Sequence, residues 1–428
     1  MVFRIILVSF FLIVSQGVYA VKRPFVTVLG HQFYVNGKPY YYIGANYWYG
    51  GLLRGTKNGA ERLRRELDFL KAQGVTNVRV LAGSEGLGLI NGVERVKPAL
   101  QPKRGQFNEK VLEGLDYLLY ELAKRKMYAV MILSNNWEWS GGFLQYLNWR
   151  GVLPTEVMRS KMNWDDLRDH TSRFYSCRPC QEDYEKQVKL ILNHYNKYSK
   201  RPYKEEPAIM AWELANEPRP MRPSAVDNYI RWTSSVAALI KTMDKNHLVT
   251  LGTEGIMGTE ESSELFKKVH IPKEVDYLTL HIWPKNWQWF RDTSIVDSLP
   301  RIISRSVNYV KKHVSIAEEL NKPLVIEEFG LPRDAHSFAF ASTTVSRDHF
   351  YEAIFGEWQQ SRLANGVIAG CNFWSFAGMS RSEGQLFWKE GDDFTGDPPQ
   401  EEQGLNSVFD SDSSTWRIIR AYALQNYK

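Results

Sequence analysis

The chain has 428 residues, a formal net charge of +6 and three cysteines. Three cysteines are too few for a disulfide scaffold, and the small positive excess is spread along the chain with no basic block of the kind that forms a nucleic-acid arm. Aromatic residues are abundant, with 14 Trp and 22 Tyr, many bracketed by amides and acids as in Asn135-Asn136-Trp137-Glu138-Trp139 and Asn286-Trp287-Gln288-Trp289. A core does not require tryptophans in such company, whereas a groove that stacks on sugar rings does.

In chain order, Met1–Ala20 reads as a removable secretory signal. Arg4 is its early cation, Ile5 to Val14 its apolar run, and Val18-Tyr19-Ala20 its cleavage site. The apolar run is shorter than the roughly 20 residues a bilayer span needs, and no later stretch is apolar enough to cross one. Residues 21–428 are expected to form one exported domain, secreted or periplasmic, with no membrane attachment after cleavage.

Phe25–Val28 and Phe33–Val35 flank Gly30 and are followed by Asn36-Gly37, which predicts a small hairpin. Eight strand candidates follow: Tyr41–Gly44, Thr76–Leu81, Tyr128–Leu133, Ile209–Leu214, Leu248–Gly252, Tyr277–His281, Leu324–Glu328 and Gly370–Ser375. Several are almost continuously apolar, as strands covered on both faces should be. Helical periodicity occupies Glu61–Ala72, Glu109–Lys126, Gln181–Tyr198, Ala225–Met243, Ile302–Leu320, Ser346–Leu363 and Thr415–Gln425. The alternation predicts an α/β fold, a (β/α)8 TIM barrel whose active site sits at the C-terminal ends of the strands. Trp149–Arg178 reads as an elaborated loop over that face, and no repeat or linker to a further module is visible.

Cys177-Arg178-Pro179-Cys180 is a single C-x-x-C. A zinc site would need a second ligand pair, and the thioredoxin-like setting of a redox motif is missing. An oxidising compartment favours a local disulfide there. Cys371, within a strand, reads as a buried free thiol. Asp392, Asp393 and Asp397 lack the EF-hand arrangement, so no metal or cofactor is expected.

The strand ends carry the chemistry. Strand four runs into Trp212-Glu213-Leu214-Ala215-Asn216-Glu217-Pro218 and strand seven into Val325-Ile326-Glu327-Glu328-Phe329-Gly330. Each brings a carboxylate to the catalytic face, and two carboxylates across a groove are the apparatus of glycoside hydrolysis. Side-chain alternation along a strand predicts that Glu327 points to the helices if Glu328 points into the barrel mouth.

These residues resemble glycoside hydrolase family 5, in the retaining clan A barrels. Asn216-Glu217-Pro218 and Glu328-Phe329-Gly330 match the family's two catalytic strand ends. Arg79 after strand two, His281 after strand six and Trp374 after strand eight match three more. The resemblance spans nearly the whole mature chain. It implies that Glu217 is the acid/base and Glu328 the nucleophile, with carboxyls about 5–5.5 Å apart. Asn216 would bond the sugar 2-hydroxyl. Arg79 would favour the charged form of Glu328, His281 would hydrogen-bond toward Glu217, and Trp374 would floor the sugar at the cleavage point. The family usually has a tyrosine two residues after the histidine; here Trp283 stands there and is expected to face substrate. Leu81 stands where mannanases tend to have tryptophan.

Within the family the likeness is nearest to endo-β-1,4-mannanases. It rests on Arg219 in Asn-Glu-Pro-Arg, on His281-Ile-Trp-Pro-Lys-Asn-Trp287, and on Gly396-Asp397-Pro398-Pro399 with Gln403-Gly404. It implies that Arg219 lies toward the leaving-group side and that Trp48 adds a sugar platform. The expected substrate is a β-mannan polysaccharide, cut by a monomer. An endo-β-1,4-glucanase or exo-mannosidase on the same fold, and a non-catalytic carbohydrate-binding barrel, are the competing readings.

Overall fold

The computed structural model describes residues 24–291, 294–381 and 385–425; the expected signal segment Met1–Ala20 lies outside them. Eight strands form the barrel: β1 (Tyr42–Asn46), β2 (Asn77–Leu81), β3 (Tyr128–Ile132), β4 (Ile209–Glu213), β5 (Leu248–Thr250), β6 (Leu278–Ile282), β7 (Leu324–Phe329) and β8 (Ile368–Phe373). Every strand residue is buried, which is why these segments read as unbroken apolar runs rather than as alternating ones. All pair in parallel. The order is β5-β4-β3-β2-β1-β8-β7-β6, so the seam falls between β5 and β6. Side chains stitch it. The Asp276 carboxylate accepts from the Val249 N–H at 2.6 Å, Thr250 donates to the Tyr277 carbonyl at 3.1 Å, and Thr279 donates to the Thr253 carbonyl at 2.9 Å.

A helix follows each strand: α1 (Gly59–Ala72), α2 (Glu109–Arg125), α3 (Arg178–Asn193), α4 (Val226–Met243), α5 (Ser263–His270), α6 (Ile295–Leu320), α7 (Val345–Leu363) and α8 (Ser413–Leu424). The α2 stripe of Val111, Leu112, Leu115, Leu118, Leu119 and Leu122 is buried against the barrel. Asn108 caps that helix by accepting from the Lys110 N–H at 3.0 Å. The eight-residue α5 has no counterpart among the helices expected from periodicity, because two turns carry too few apolar positions to show a period. Its start is marked by Ser262, whose hydroxyl accepts from the Leu265 N–H at 3.1 Å. Among the described residues no helix is long and apolar enough to cross a membrane.

The expected hairpin is a three-stranded antiparallel sheet, Thr27–Leu29, Gln32–Val35 and Lys38–Pro39. Asn36 and Gly37 turn at φ 52° and 72°, the conformation an Asn-Gly hairpin turn needs. Phe33 packs 5.3 Å from Tyr277 and 6.4 Å from Tyr42, at the strand starts, so this sheet plugs the end of the barrel away from the site. On the other face the segment after β3 forms three short helices, Gly142–Trp149, Thr155–Arg159 and Trp164–Ser172.

Cys177 and Cys180 are joined in a disulfide at the start of α3, and Cys371 is a buried free thiol whose pKa burial raises. The closed loop is short, so replacing both bonded cysteines by serine should cost about 2 kcal/mol. Thermal melts with and without a dithiol reductant check this: the wild type should lose a few degrees on reduction and the double variant nothing.

Candidate active site

Parallel strands end together, so the residues after β2, β4, β6, β7 and β8 share one rim. Arg79 on β2 is its buried hub. Its Nε and Nη2 donate to the two Glu213 oxygens at 2.7 and 2.6 Å, a bidentate pair across from β4. Nη1 donates to Asn46 Oδ1 at 3.0 Å and to Glu328, and Nη2 donates to Asn216 Oδ1 at 2.8 Å. The guanidinium thereby fixes the nucleophile candidate and the Asn216 amide together. Asn216 is held on its other side by its own Nδ2, which donates to Asn135 Oδ1 at 3.1 Å.

Glu217 is gripped at both oxygens. His281 Nδ1 donates to Oε1 at 2.6 Å, and Trp137 Nε1 donates to Oε2. The residue sits at φ 51°, an uncommon conformation for a non-glycine and one that gathers at functional sites. Glu328 Oε2 accepts from Trp283 Nε1 at 3.0 Å and lies 3.2 Å from His281 Nδ1. Burial alone would discharge His281. The Glu328 charge and hydrogen bonds to Glu217, Glu327 and Glu328 outweigh it and hold its pKa well above the usual histidine value. A carboxylate oxygen of Glu217 and one of Glu328 lie within 4.8 Å of each other.

Glu327 does not point to the helices. It is fully buried inside the barrel, 3.7 Å from Arg79 Nε and 3.4 Å from His281 Nε2. The cause is a break in register: Leu280 pairs with Ile326 but His281 pairs with Glu328, leaving Glu327 as an extra residue. A bulge of this kind resets the alternation, so both glutamates face the interior, Glu327 below Glu328.

Above the carboxylates opens a cavity of about 650 Å³, lined by Glu217, Glu328, Asn216, Arg219, Trp283 and Trp374 among others. The sequence matches the "GH family 5 beta-mannosidase-like" domain over residues 23–428. The chain belongs to glycoside hydrolase family 5. It is 31% identical over 370 residues to mannan endo-1,4-beta-mannosidase 7 of Arabidopsis thaliana, covering 82% of this chain and 77% of that one. The structure superposes on a family 5 mannosidase of Rhizomucor miehei with a TM-score of 0.84 and 30% identity over 94% of this chain and 97% of that one. An endo-β-1,4-mannanase of Thermotoga petrophila gives 0.65 and 25%, over 91% and 77%.

This family 5 glycoside hydrolase brings all but one of the expected site residues to the rim. Trp374 lines the cavity with its ring 5.6 Å from Trp283. Trp283 faces the site as expected and also donates to the nucleophile candidate, the hydrogen bond a tyrosine hydroxyl would have supplied. Arg219 pairs through two nitrogens with Glu254 and lies 5.2 Å over the Trp137 ring. Trp48 is the exception. It is 1% exposed, donates to the Gly396 carbonyl at 2.9 Å and packs against Trp139, Tyr49 and Phe394. It supports Trp139, which lines the cavity, and offers no face to a sugar.

Several lining groups were not singled out from the sequence. Trp137 was visible only as an indole in polar company. Glu138 is buried, and burial raises its pKa against the hydrogen bond from Asn91. Gln400 and Glu401 arrive on the segment after β8. That segment is braced by Asp397, whose carboxylate accepts from the N–H groups of Gly404, Asn406 and Ser407. Burial, with the charges of Asp397, Glu328 and Glu217, pushes Glu401 well above the usual carboxylate range. The Nε1 of Trp374, Nε1 of Trp287 and Nε2 of Gln400 line this cavity as buried donors with no hydrogen-bond partner among the described residues.

Proposed function

We propose that this enzyme is a retaining endo-β-1,4-mannanase that hydrolyses internal bonds of mannan, galactomannan or glucomannan. The observation that carries the mechanism is the approach of Glu217 and Glu328 to within 4.8 Å at their nearest oxygens. Retaining pairs have carboxyls roughly 5–5.5 Å apart and inverting pairs roughly 6.5–9.5 Å, with room for a water between. The substrate follows from the relatives' mannan specificity. The unpartnered donors in the cavity suit a ligand dense in hydroxyl oxygens, since a buried donor left unpaired costs roughly 1–3 kcal/mol.

In the first step Glu328 attacks the anomeric carbon and forms a glycosyl ester, while Glu217 gives its proton to the departing oxygen. In the second, Glu217 takes a proton from water, the water oxygen attacks the anomeric carbon, and Glu328 leaves as carboxylate. The inversions cancel and configuration is kept. Arg79, Trp283 and His281 hold Glu328 aimed throughout, and they stabilise its charge when it leaves. We further propose that the chain acts as an exported monomer once Met1–Ala20 is removed.

A second reading, release of single mannose units from a chain end, is favoured by the higher TM-score with the Rhizomucor mannosidase than with the Thermotoga endo-mannanase. Product analysis on linear mannan, with cellulose in parallel, separates the readings. A ladder of manno-oligosaccharides supports endo cleavage, mannose alone supports exo cleavage, and cello-oligosaccharides alone overturn the substrate.

The acid role makes its own prediction. Glu217→Ala should lose about a thousandfold on mannan, within the range of general acid catalysis. On 2,4-dinitrophenyl β-mannoside, whose leaving group needs no proton, the first step should survive and the glycosyl-enzyme should accumulate as a burst. An equal loss in the rate of the first step on both substrates, with no burst on the dinitrophenyl mannoside, would remove Glu217 from the acid role.

A further inference from the structure

Away from the reaction site, the cysteine pair at the start of α3 borders a cavity of its own. That cavity holds about 480 Å³ and is lined by Arg150, Val152, Arg173, Ser176, Cys177 and Pro179. It shares no lining residue with the cavity over the carboxylates. The two sulfurs differ in access. Cys180 is fully buried, whereas Cys177 is half-buried and forms part of the cavity wall. A sulfur nucleophile that enters the cavity therefore meets Cys177, and the sulfur it expels is that of Cys180. Cys180 is the third residue of α3, and the first turn of a helix favours a thiolate, which makes that sulfur the better leaving group.

The cavity wall is cationic. Arg150 donates to both Asp183 oxygens at 2.7 and 2.8 Å, yet Lys186 at 3.2 Å and Arg104 at 4.0 Å share that one carboxylate. Positive charge is thus in excess there. Arg173 is exposed on the same wall and has no ion pair among the described residues. The turn before Cys177 is held without the disulfide. Gln181 Nε2 donates to the Phe174 and Tyr175 carbonyls at 3.2 and 2.9 Å, and the Phe174 ring stacks 4.1 Å from that of Phe143. Opening the bond therefore leaves the surrounding structure in place, ready for the bond to form again.

We propose that this cavity is a thiol–disulfide exchange site for a small thiol that carries a carboxylate. The carboxylate pairs with Arg173 while the thiolate attacks Cys177 Sγ. A new S–S bond forms to Cys177, the Cys177–Cys180 bond breaks, and its electron pair leaves on Cys180 as thiolate. One disulfide and one thiolate enter the step and one of each leaves it, so no further oxidant or reductant is needed. Attack by Cys180 on the mixed disulfide expels the small thiol and restores the original bond. The C-x-x-C segment is then a reversible attachment point for acidic thiols, built without a thioredoxin fold and separate from the hydrolytic site.

The test uses the full chain and two probes of similar size and opposite charge, 3-mercaptopropionate and cysteamine. Opening is followed by quenching with N-ethylmaleimide and measuring the mass of the intact protein. Each rate is divided by that of the same thiol on 2-hydroxyethyl disulfide, a neutral reference, which removes differences in nucleophilicity. At low salt the normalised rate should favour mercaptopropionate about tenfold, the size of one charge-assisted hydrogen bond. High salt should shrink the preference, and Arg173→Gln should remove most of it. Peptide mapping should find the added thiol on Cys177 and the maleimide on Cys180. Equal normalised rates, a preference for cysteamine, or a preference that Arg173→Gln keeps would overturn the site. So would the added thiol on Cys180.

Discussion

Glu328→Gly should abolish mannan hydrolysis, with a loss on the order of a millionfold, the scale seen when a covalent nucleophile is removed, and the barrel should remain folded. Three donors converge on this carboxylate from two strands: Arg79 on β2, and His281 and Trp283 at the end of β6. They aim it and disperse its charge, but none can replace it as attacking atom. The fold survives because Arg79 keeps its bidentate pair with Glu213, so no cation is stranded by the deletion. The variant also leaves a small anion-binding hole under the same three donors. Added azide should enter it, attack an aryl mannoside from the face Glu328 used, and release a glycosyl azide of inverted configuration. Melting curves check the fold and product analysis checks the azide. Normal turnover by Glu328→Gly, or rescue giving the retained azide, would remove Glu328 as nucleophile.

What the sequence made legible follows from how locally each feature is encoded. The eight strands could be read because burial on both faces leaves an apolar run that owes nothing to distant residues. The ends of β4 and β7 could be read because a parallel barrel brings all strand ends to one face, whatever the loops do. Glu327 was misread for a non-local reason. Its orientation depends on a bulge against β6, and the pairing of Ile326 and Glu328 with their neighbours is invisible in a single strand. Trp48 follows β1 as a platform residue might, yet Trp139 and Phe394 fold over it from segments 91 and 346 residues away. Gln400 and Glu401 were missed because a loop's conformation is set by its own hydrogen bonds, here those of Asp397 and Gln403. Periodicity has no purchase on such a segment. Glu254, partner of Arg219, was hidden in the same way after β5.

Arg79→Met should be the most destabilising single substitution in the site, costing about 3–5 kcal/mol, as expected when one partner of a buried ion pair is removed. Arg79 is fully buried and faces three buried carboxylates, Glu213, Glu327 and Glu328. His281 is the other cation at the cluster, and it also contacts Glu217. Methionine fills similar space but leaves that negative charge under-compensated. Lysine would not repair it, since a point charge cannot donate at once to Glu213, Asn46, Asn216 and Glu328 as the guanidinium fork does. The loss should depend on pH with a definite sign. Burial already raises Glu213 to about 8, against the pull of Arg79. A carboxyl whose folded pKa exceeds its unfolded value takes up protons on folding, so its folded state loses stability as pH climbs from the unfolded value toward the folded one. Removing Arg79 raises the folded value further and enlarges that loss. Urea unfolding at pH 5 and pH 8 should therefore find the gap between wild type and Arg79→Met wider at pH 8. A gap of equal size at both pH values would mean that Arg79 stabilises the barrel by packing rather than by charge. The catalytic rim would then be held by its asparagines and indoles instead of by the guanidinium at its centre.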